Sequence, residues 1–229
     1  MNKFLVLEGL DGSGKSTQVE MLKNYLDNNG VNYKFLHFPQ TNAPYFGEQI
    51  ARFLRGEFGK ADEVDPYLVA MMYAGDRFSA AEDIRQWLSI GTLVVVDRYV
   101  MSNIAFQCAK LIDESEKEKL RKWIFNFEYN YYQIPKPSLS IFLDAPMSFV
   151  SNNLVNDRQG DDREYLQGKQ DIHEEKIDFQ VTVRNEYLKA IELDNSFKYI
   201  NCDTEGKMKQ PEVIFNELLK VLQESNIID

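Results

Sequence analysis

Five short apolar runs punctuate the chain, at residues 4–7, 33–38, 93–96, 139–143 and 199–201. Each is rich in β-branched or aromatic residues, which predicts strands. Leu93-Val94-Val95-Val96 is apolar without alternation, as expected for a strand covered on both faces. Between the runs, apolar residues recur at helical spacing. The pattern predicts helices over 15–28, 47–55, 66–88, 101–110, 116–130, 147–153, 173–192 and 211–224. Asn29-Gly30 is a stop signal for the first, and Pro66 and Pro211 are start signals. Strands alternating with helices predict an α/β fold with a five-stranded parallel sheet. The prolines within 133–138 mark a turn into the fourth strand, and 156–169 is polar, charged and reads as a mobile surface loop. With no internal repeat or interdomain linker, residues 1–229 read as a single domain.

The junction after the first strand carries the chemistry. It reads Glu8-Gly9-Leu10-Asp11-Gly12-Ser13-Gly14-Lys15-Ser16-Thr17 and runs into a helix with Val19, Leu22 and Leu26 on one side. Strand, glycine-rich turn, lysine, hydroxyl and helix together make a phosphate loop. Gly9, Gly12 and Gly14 let backbone wrap an anion without Cβ obstruction. Converging N–H groups, including those of Ser13, Lys15 and Thr17, and the helix N-terminus favour phosphate there. Lys15 can reach the β- and γ-phosphates of ATP, and the Ser16 hydroxyl can meet Mg2+. A chain of this length matches the bare pattern by chance about one time in a hundred, and the flanking elements lower that further.

Composition narrows the partners. Lys and Arg total 26 against 36 Asp and Glu, a formal charge of −10. Such a chain is a poor binder of nucleic acid polymers, whose affinity comes from neutralising phosphates. It contains no apolar run long enough to span a membrane. The first strand starts almost at the N-terminus, which leaves no room for a targeting peptide. Cys108 and Cys202 are isolated, as expected of reduced thiols in a cytoplasmic protein. With only His37 and His173 present, a histidine-based metal cluster is implausible.

The third strand sorts the phosphate-loop classes. It ends Val96-Asp97-Arg98-Tyr99. A strand-end carboxylate at Asp97 suits a water-mediated Mg2+ role. Many ATP-hydrolysing machines have a glutamate next; Arg98 is a cation, which suits an acceptor phosphate. No Asn-Lys-x-Asp element for reading guanine is present. Tyr73 and Arg77 are four apart and share a helix face, where a ring can stack on a base and a guanidinium can donate to a carbonyl.

Taken together, these segments resemble the thymidylate kinase family, which converts dTMP and ATP to dTDP and ADP on the way to dTTP. The phosphate loop followed by Gln18 is similar to its EGxDGxGKxTQ. Phe38-Pro39, Tyr73-Ala74-Gly75-Asp76-Arg77, Asp97-Arg98-Tyr99 with Ser102, Pro135-Lys136-Pro137 and Leu143-Asp144 resemble its other elements, in order and over nearly the whole chain. The resemblance implies a three-layer α/β/α P-loop kinase fold with a short lid at about 156–170, and a homodimer. It also implies that thymine lies on Tyr73 and Arg77. Asp11, Phe38, Pro39, Arg98, Ser102 and Phe106 are implied to complete the monophosphate site, with the phosphate near Arg98 and Asp11. Asp11 touches the sugar or positions its phosphate, and Glu8 orients Arg98 or the sugar, or caps amides.

Two departures stand out. After Phe38-Pro39 the family usually has an arginine for the dTMP phosphate; here Gln40, Thr41 and Asn42 follow. Some members place a catalytic arginine after the phosphate-loop aspartate, where this chain has Gly12. That points to the lid, whose Arg158 and Arg163 are expected to join Lys15, Arg98 and Asp11 in catalysis. An acceptor phosphate is already ionised, so no general base is required, and His173 reads as a helix-start residue. The competing readings are a kinase for another deoxynucleotide or deoxynucleoside, and a non-catalytic nucleotide-binding module. A DNA-binding ATPase is opposed by the acidic charge.

Overall fold

The computed structural model describes residues 3–61, 63–155, 166, 177–194 and 196–228. The elements are β1 (Phe4–Gly9), α1 (Lys15–Asn28), β2 (Tyr33–His37), α2 (Phe46–Leu54), α3 (Pro66–Ser89), β3 (Leu93–Asp97), α4 (Val100–Cys108) and α5 (Glu114–Phe125). A π-helical turn (Asn126–Tyr131) extends α5. Then come β4 (Leu139–Asp144), α6 (Met147–Val155), α7 (Ile177–Leu193), β5 (Phe197–Asn201), a small antiparallel ribbon of β6 (Asp203–Thr204) and β7 (Lys207–Met208), and α8 (Pro211–Glu224).

The five long strands form one parallel sheet in the order β2-β3-β1-β4-β5. Successive strand residues point to opposite faces, and the core divides accordingly. Phe4, Val6, Val94 and Val96 pack under α3 and α4. Leu5, Leu7, Val95 and Ile141 pack under α1 and α8. Apolar side chains on both faces make these strands read as unbroken apolar runs. Glu8 continues the parity of Phe4 and Val6, so its carboxylate points toward α4.

The three-layer arrangement agrees with expectation, while several boundaries differ. The helix expected over 116–130 ends at Phe125 and widens into the π turn, where the Tyr132 amide donates to the Phe127 carbonyl at 2.9 Å. The β6–β7 ribbon has only two residues per strand, too short to leave a periodic signal. Helix α3 begins where Asp65 accepts from the Tyr67 and Leu68 amides at 2.8 and 3.3 Å, with Pro66 in its first turn. Two glycines set how α2 meets its neighbours. A Cβ on Gly75 would lie 2.3 Å from the Phe46 ring, and one on Gly47 would lie 2.0 Å from the Gln40 carbonyl oxygen. Gly75 sits mid-helix at a cost of roughly 1 kcal/mol in propensity, because α2 could not otherwise approach α3. No helix among the described residues is long and apolar enough to cross a membrane.

Candidate active site

The site gathers at the carboxyl ends of β1, β3 and β4, where open parallel sheets bind ligands. The phosphate loop leaves β1 at Gly9 and turns through Gly12 and Gly14, at φ 77° and 79°, conformations that glycine adopts without strain. Asn153 of α6 clamps the loop by donating to the Gly12 carbonyl at 2.8 Å. Gly9 is needed for close approach: a Cβ there would lie 2.8 Å from the Ser13 hydroxyl. Ser13 is buried, whereas Ser16 and Thr17 at the start of α1 are exposed.

Lys15 reaches back from α1 to form a buried ion pair with Asp97, whose other oxygen lies 3.1 Å from His37 Nδ1. Burial works to raise the Asp97 pKa, but Lys15, His37 and Arg98 outweigh it and hold the carboxyl well below the usual range. Lys15 shifts down, because burial and the nearby Arg98 exceed the attraction of Asp97. An anionic phosphate beside Lys15 would favour its charged form.

Arg98 follows Asp97 in the left-handed region, at φ 65°. Its guanidinium donates to Asp11 at 2.7 Å and to Ser102 at 3.4 Å, and its centre lies 5.3 Å from the middle of the Phe106 ring. Asp11 also accepts from Gln180 of α7 at 3.1 Å. Burial disfavours the charged Arg98, but Asp11 and the other nearby acids hold its pKa above the ordinary arginine value. Asp11 thus lies against a cation, which offsets its repulsion of phosphates.

Glu8 caps amides, one of the roles expected for it. Its fully buried carboxylate accepts from the Tyr99 amide at 3.0 Å, the Ser102 amide at 3.3 Å, the Ser102 hydroxyl at 2.5 Å and the Tyr187 hydroxyl at 3.0 Å. It sits at the N-terminus of α4, where a carboxylate meets unpaired N–H groups and a favourable field. Burial still raises its pKa, against the opposing pull of those donors and Arg98.

On the far side, α3 and α4 bring a second polar group together. Arg77 is 1% exposed, and its Nε and Nη2 donate to Glu128 of the π turn at 2.5 and 2.6 Å. Asn103 of α4 donates to the same carboxylate at 2.9 Å and to the Ala70 carbonyl at 3.1 Å. Arg77 is therefore not an open fork: two of its nitrogens are already engaged. Tyr73 packs with Phe53 and Val69 between α2 and α3. Phe38 is 1% exposed in the core, 5.9 Å from the Tyr99 ring, and joins Pro39 through a cis peptide. The Gln40 amide that follows donates to buried Asp76 at 2.9 Å.

Beside the phosphate loop, a depression of about 320 Å³ is lined by Asp144, Met147, Arg184, Asn201, Asp203 and Gly206, among others. Arg184 spans one wall with a two-pronged bond to Asp144, at 2.6 and 2.7 Å.

A family model described as thymidylate kinase matches residues 7–211. The chain belongs to the thymidylate kinase family. It is accordingly a transferase that phosphorylates thymidylate. A probable thymidylate kinase of Methanococcus aeolicus is 31% identical over the whole of both chains. The thymidylate kinase of Plasmodium falciparum is 32% identical over 66% of this chain and 65% of that protein. A thymidylate kinase structure from Candida albicans superimposes with a TM-score of 0.72 at 23% identity, covering 99% of this chain and 93% of that one. That likeness is one of fold.

The fold brings together Asp11, Lys15, Asp97, Arg98, Ser102 and Phe106. Arg77 and Tyr73 are carried by α3, which packs against α4. The expected lid arginines, Arg158 and Arg163, lie outside the described residues, as do His173 and the rest of 167–176. Reasoning from sequence gave no site role to His37 or Asp76, and did not single out Asn103, Glu128, Gln180, Arg184 or Tyr187. Glu128 left one signal: a lone carboxylate in Phe125-Asn126-Phe127-Glu128-Tyr129, four residues beyond the buried Leu120 and Ile124 stripe.

Proposed function

We propose that this protein moves the γ-phosphoryl group of ATP to the 5′-phosphate of dTMP with Mg2+ present. One observation carries the reading: two ion pairs, Lys15 with Asp97 and Arg98 with Asp11, stand side by side at the ends of β1 and β3. Phosphoryl transfer asks little else of a protein than alignment of two phosphates and relief of their charge. Gly9 and the amides of 12–17 hold the donor phosphates, and Lys15 swings from Asp97 to the β- and γ-oxygens. Arg98, held by Asp11, faces the acceptor phosphate and takes over part of the charge that an arginine after Pro39 would carry.

The exposed Ser16 hydroxyl and the ionised Asp97 suit Mg2+, which binds few protein groups and keeps several waters. When bound, Mg2+ would offset negative charge on the phosphates. The depression beside Arg184 takes the adenine, with the guanidinium against the ring. The dTMP base lies against Tyr73 and Phe106, with Arg77 and Asn103 along its edge. Phe38 supports this wall from the core, through the loop that Pro39 and Gln40 form.

The subunit pairs with a second copy through α3, on which Leu68 and Phe78 are 55% and 46% exposed; sedimentation of the purified protein tests this.

The reading is tested by ADP formation with Mg-ATP across dTMP, dUMP, dCMP, dGMP, AMP and thymidine. Turnover confined to dTMP, with weaker dUMP, is expected. Turnover of thymidine but not dTMP would identify a nucleoside kinase. ATP binding without turnover of any acceptor would identify a non-catalytic module.

A further inference from the structure

The α3–α4 polar group has an organiser that is not itself a base reader. Glu128 is 0% exposed. One of its oxygens accepts from Arg77 Nε at 2.5 Å; the other accepts from Arg77 Nη2 at 2.6 Å and from Asn103 Nδ2 at 2.9 Å. A parallel two-pronged bond of this kind fixes the plane of a guanidinium as well as its position. The Asn103 amide is fixed too, since Nδ2 gives its hydrogens to Glu128 and the Ala70 carbonyl. Its oxygen must then be the remaining atom, and it is buried without a hydrogen-bond partner among the described residues.

We propose that Glu128 is a positioning residue for acceptor selectivity, locking Arg77 and Asn103 into a donor-beside-acceptor pattern that matches the imide edge of thymine or uracil. The imide offers a carbonyl to Arg77 and an N–H to the Asn103 oxygen. Cytosine presents the reverse, an amino donor beside an unprotonated ring nitrogen, and leaves both protein groups opposed. A site built of buried polar groups discriminates strongly against a ligand that leaves them unpaired.

The backbone around Glu128 fits this role. Lys117, Leu120 and Ile124 form the buried stripe of α5, and the next position on it is Glu128. An apolar side chain there, with an apolar partner, would satisfy the core at least as well, because a buried ion pair seldom adds stability over packed hydrocarbon. The helix also widens at this point into a π turn, and both Glu128 and Tyr129 are buried by it. Without Glu128, the described partner of the Arg77 guanidinium is the Tyr99 ring, 5.9 Å from its centre, which does not fix its plane.

The inference rests on the assignment of Arg77 and Asn103 to the acceptor base, and the experiment separates the two. Glu128→Gln, Glu128→Asp and Arg77→Lys are compared by kcat and KM for dTMP and dCMP and by KM for ATP. Glu128→Asp retains the charge that Arg77 needs, so it reports even where Glu128→Gln fails to fold. A Glu128 variant is expected to raise the dTMP KM and to erode the preference for dTMP over dCMP, each by about tenfold or more, with the ATP KM held within about twofold. An unchanged dTMP:dCMP preference in the folded Glu128 variants, with the preference lost in Arg77→Lys, would overturn the positioning role and leave the base assignment standing. An unchanged preference in all three would overturn both. Parallel rises in the ATP and dTMP KM values would reduce Glu128 to a packing residue.

Discussion

Tyr187 donates its hydroxyl hydrogen to Glu8 at 3.0 Å, joining α7 to the last turn of β1 under the active site. The same hydroxyl lies 2.7 Å from Ser102 at the start of α4. One tyrosine thus ties α7 to β1, which leads into Asp11, and to α4, which follows Arg98 and carries Ser102. Tyr187→Phe leaves Glu8 buried with one donor fewer. We expect a loss of about 1–2 kcal/mol in stability at neutral pH, read by urea unfolding. Burial already holds the Glu8 pKa up, so its folded state gains stability as pH falls and the carboxyl takes up a proton. The difference between variant and wild type should therefore shrink in acid. A constant difference from pH 7 to pH 4 would remove Glu8 from the explanation.

Asp97 has the opposite sign. Its folded pKa lies below the unfolded value, so its contribution is complete above about pH 4 and fades as pH falls further. Asp97→Asn should be less stable than wild type at pH 7, and the gap should close below about pH 4. Thermal unfolding across that range measures it.

Gly47 is a contact and not a hinge. A methyl group there would press on the Gln40 carbonyl, in the loop that leaves Pro39. Gly47→Ala should cost about 1–3 kcal/mol and raise the KM for dTMP more than that for ATP. Equal changes in both would mean that the loop does not serve the acceptor.

Both cysteines should be slow to react. Burial pushes the thiols of Cys108 and Cys202 up to about 12. At pH 8 the thiolate is then roughly a thousandfold scarcer than for a free thiol. Ellman's reagent should release colour slowly from the native protein and give two equivalents promptly after denaturation.

Arg158 and Arg163 remain the proposed source of charge compensation from the lid. Replacing both is expected to lower kcat by about a thousandfold, the scale of a catalytic arginine. A kcat within about threefold of wild type would end the idea and leave Arg98 as the arginine to test next.

The legible part of the site was the part contiguous in sequence. Phosphate-loop amides, Lys15 and the exposed Ser16 follow one another along a strand, a turn and a helix, so local pattern locates them. Asp97 and Arg98 were legible because a strand end fixes where they lie. The partners of these groups were not. Glu8 and Tyr187 are 179 residues apart, Asp11 and Gln180 are 169 apart, and Arg77 and Glu128 are 51 apart. Their pairing depends on α7 and α5 docking over the sheet, which no local period records. The tyrosine and arginine at 73 and 77 share a face as expected, yet the face does not say which nitrogens of Arg77 are already bonded.

The sequence by itself determined the order of strands and helices, the parallel sheet, the phosphate-binding turn and the family. Each of these follows from apolar period, glycine conformation or a short motif, and such information is local to the chain. Only the tertiary structure decided which charges neutralise which. It set Lys15 on Asp97, Asp11 on Arg98, Arg184 on Asp144 and Glu128 on Arg77 and Asn103. The physical reason is that a buried or half-buried charge must find a partner in space, and the identity of that partner is a property of packed helices and not of neighbouring residues.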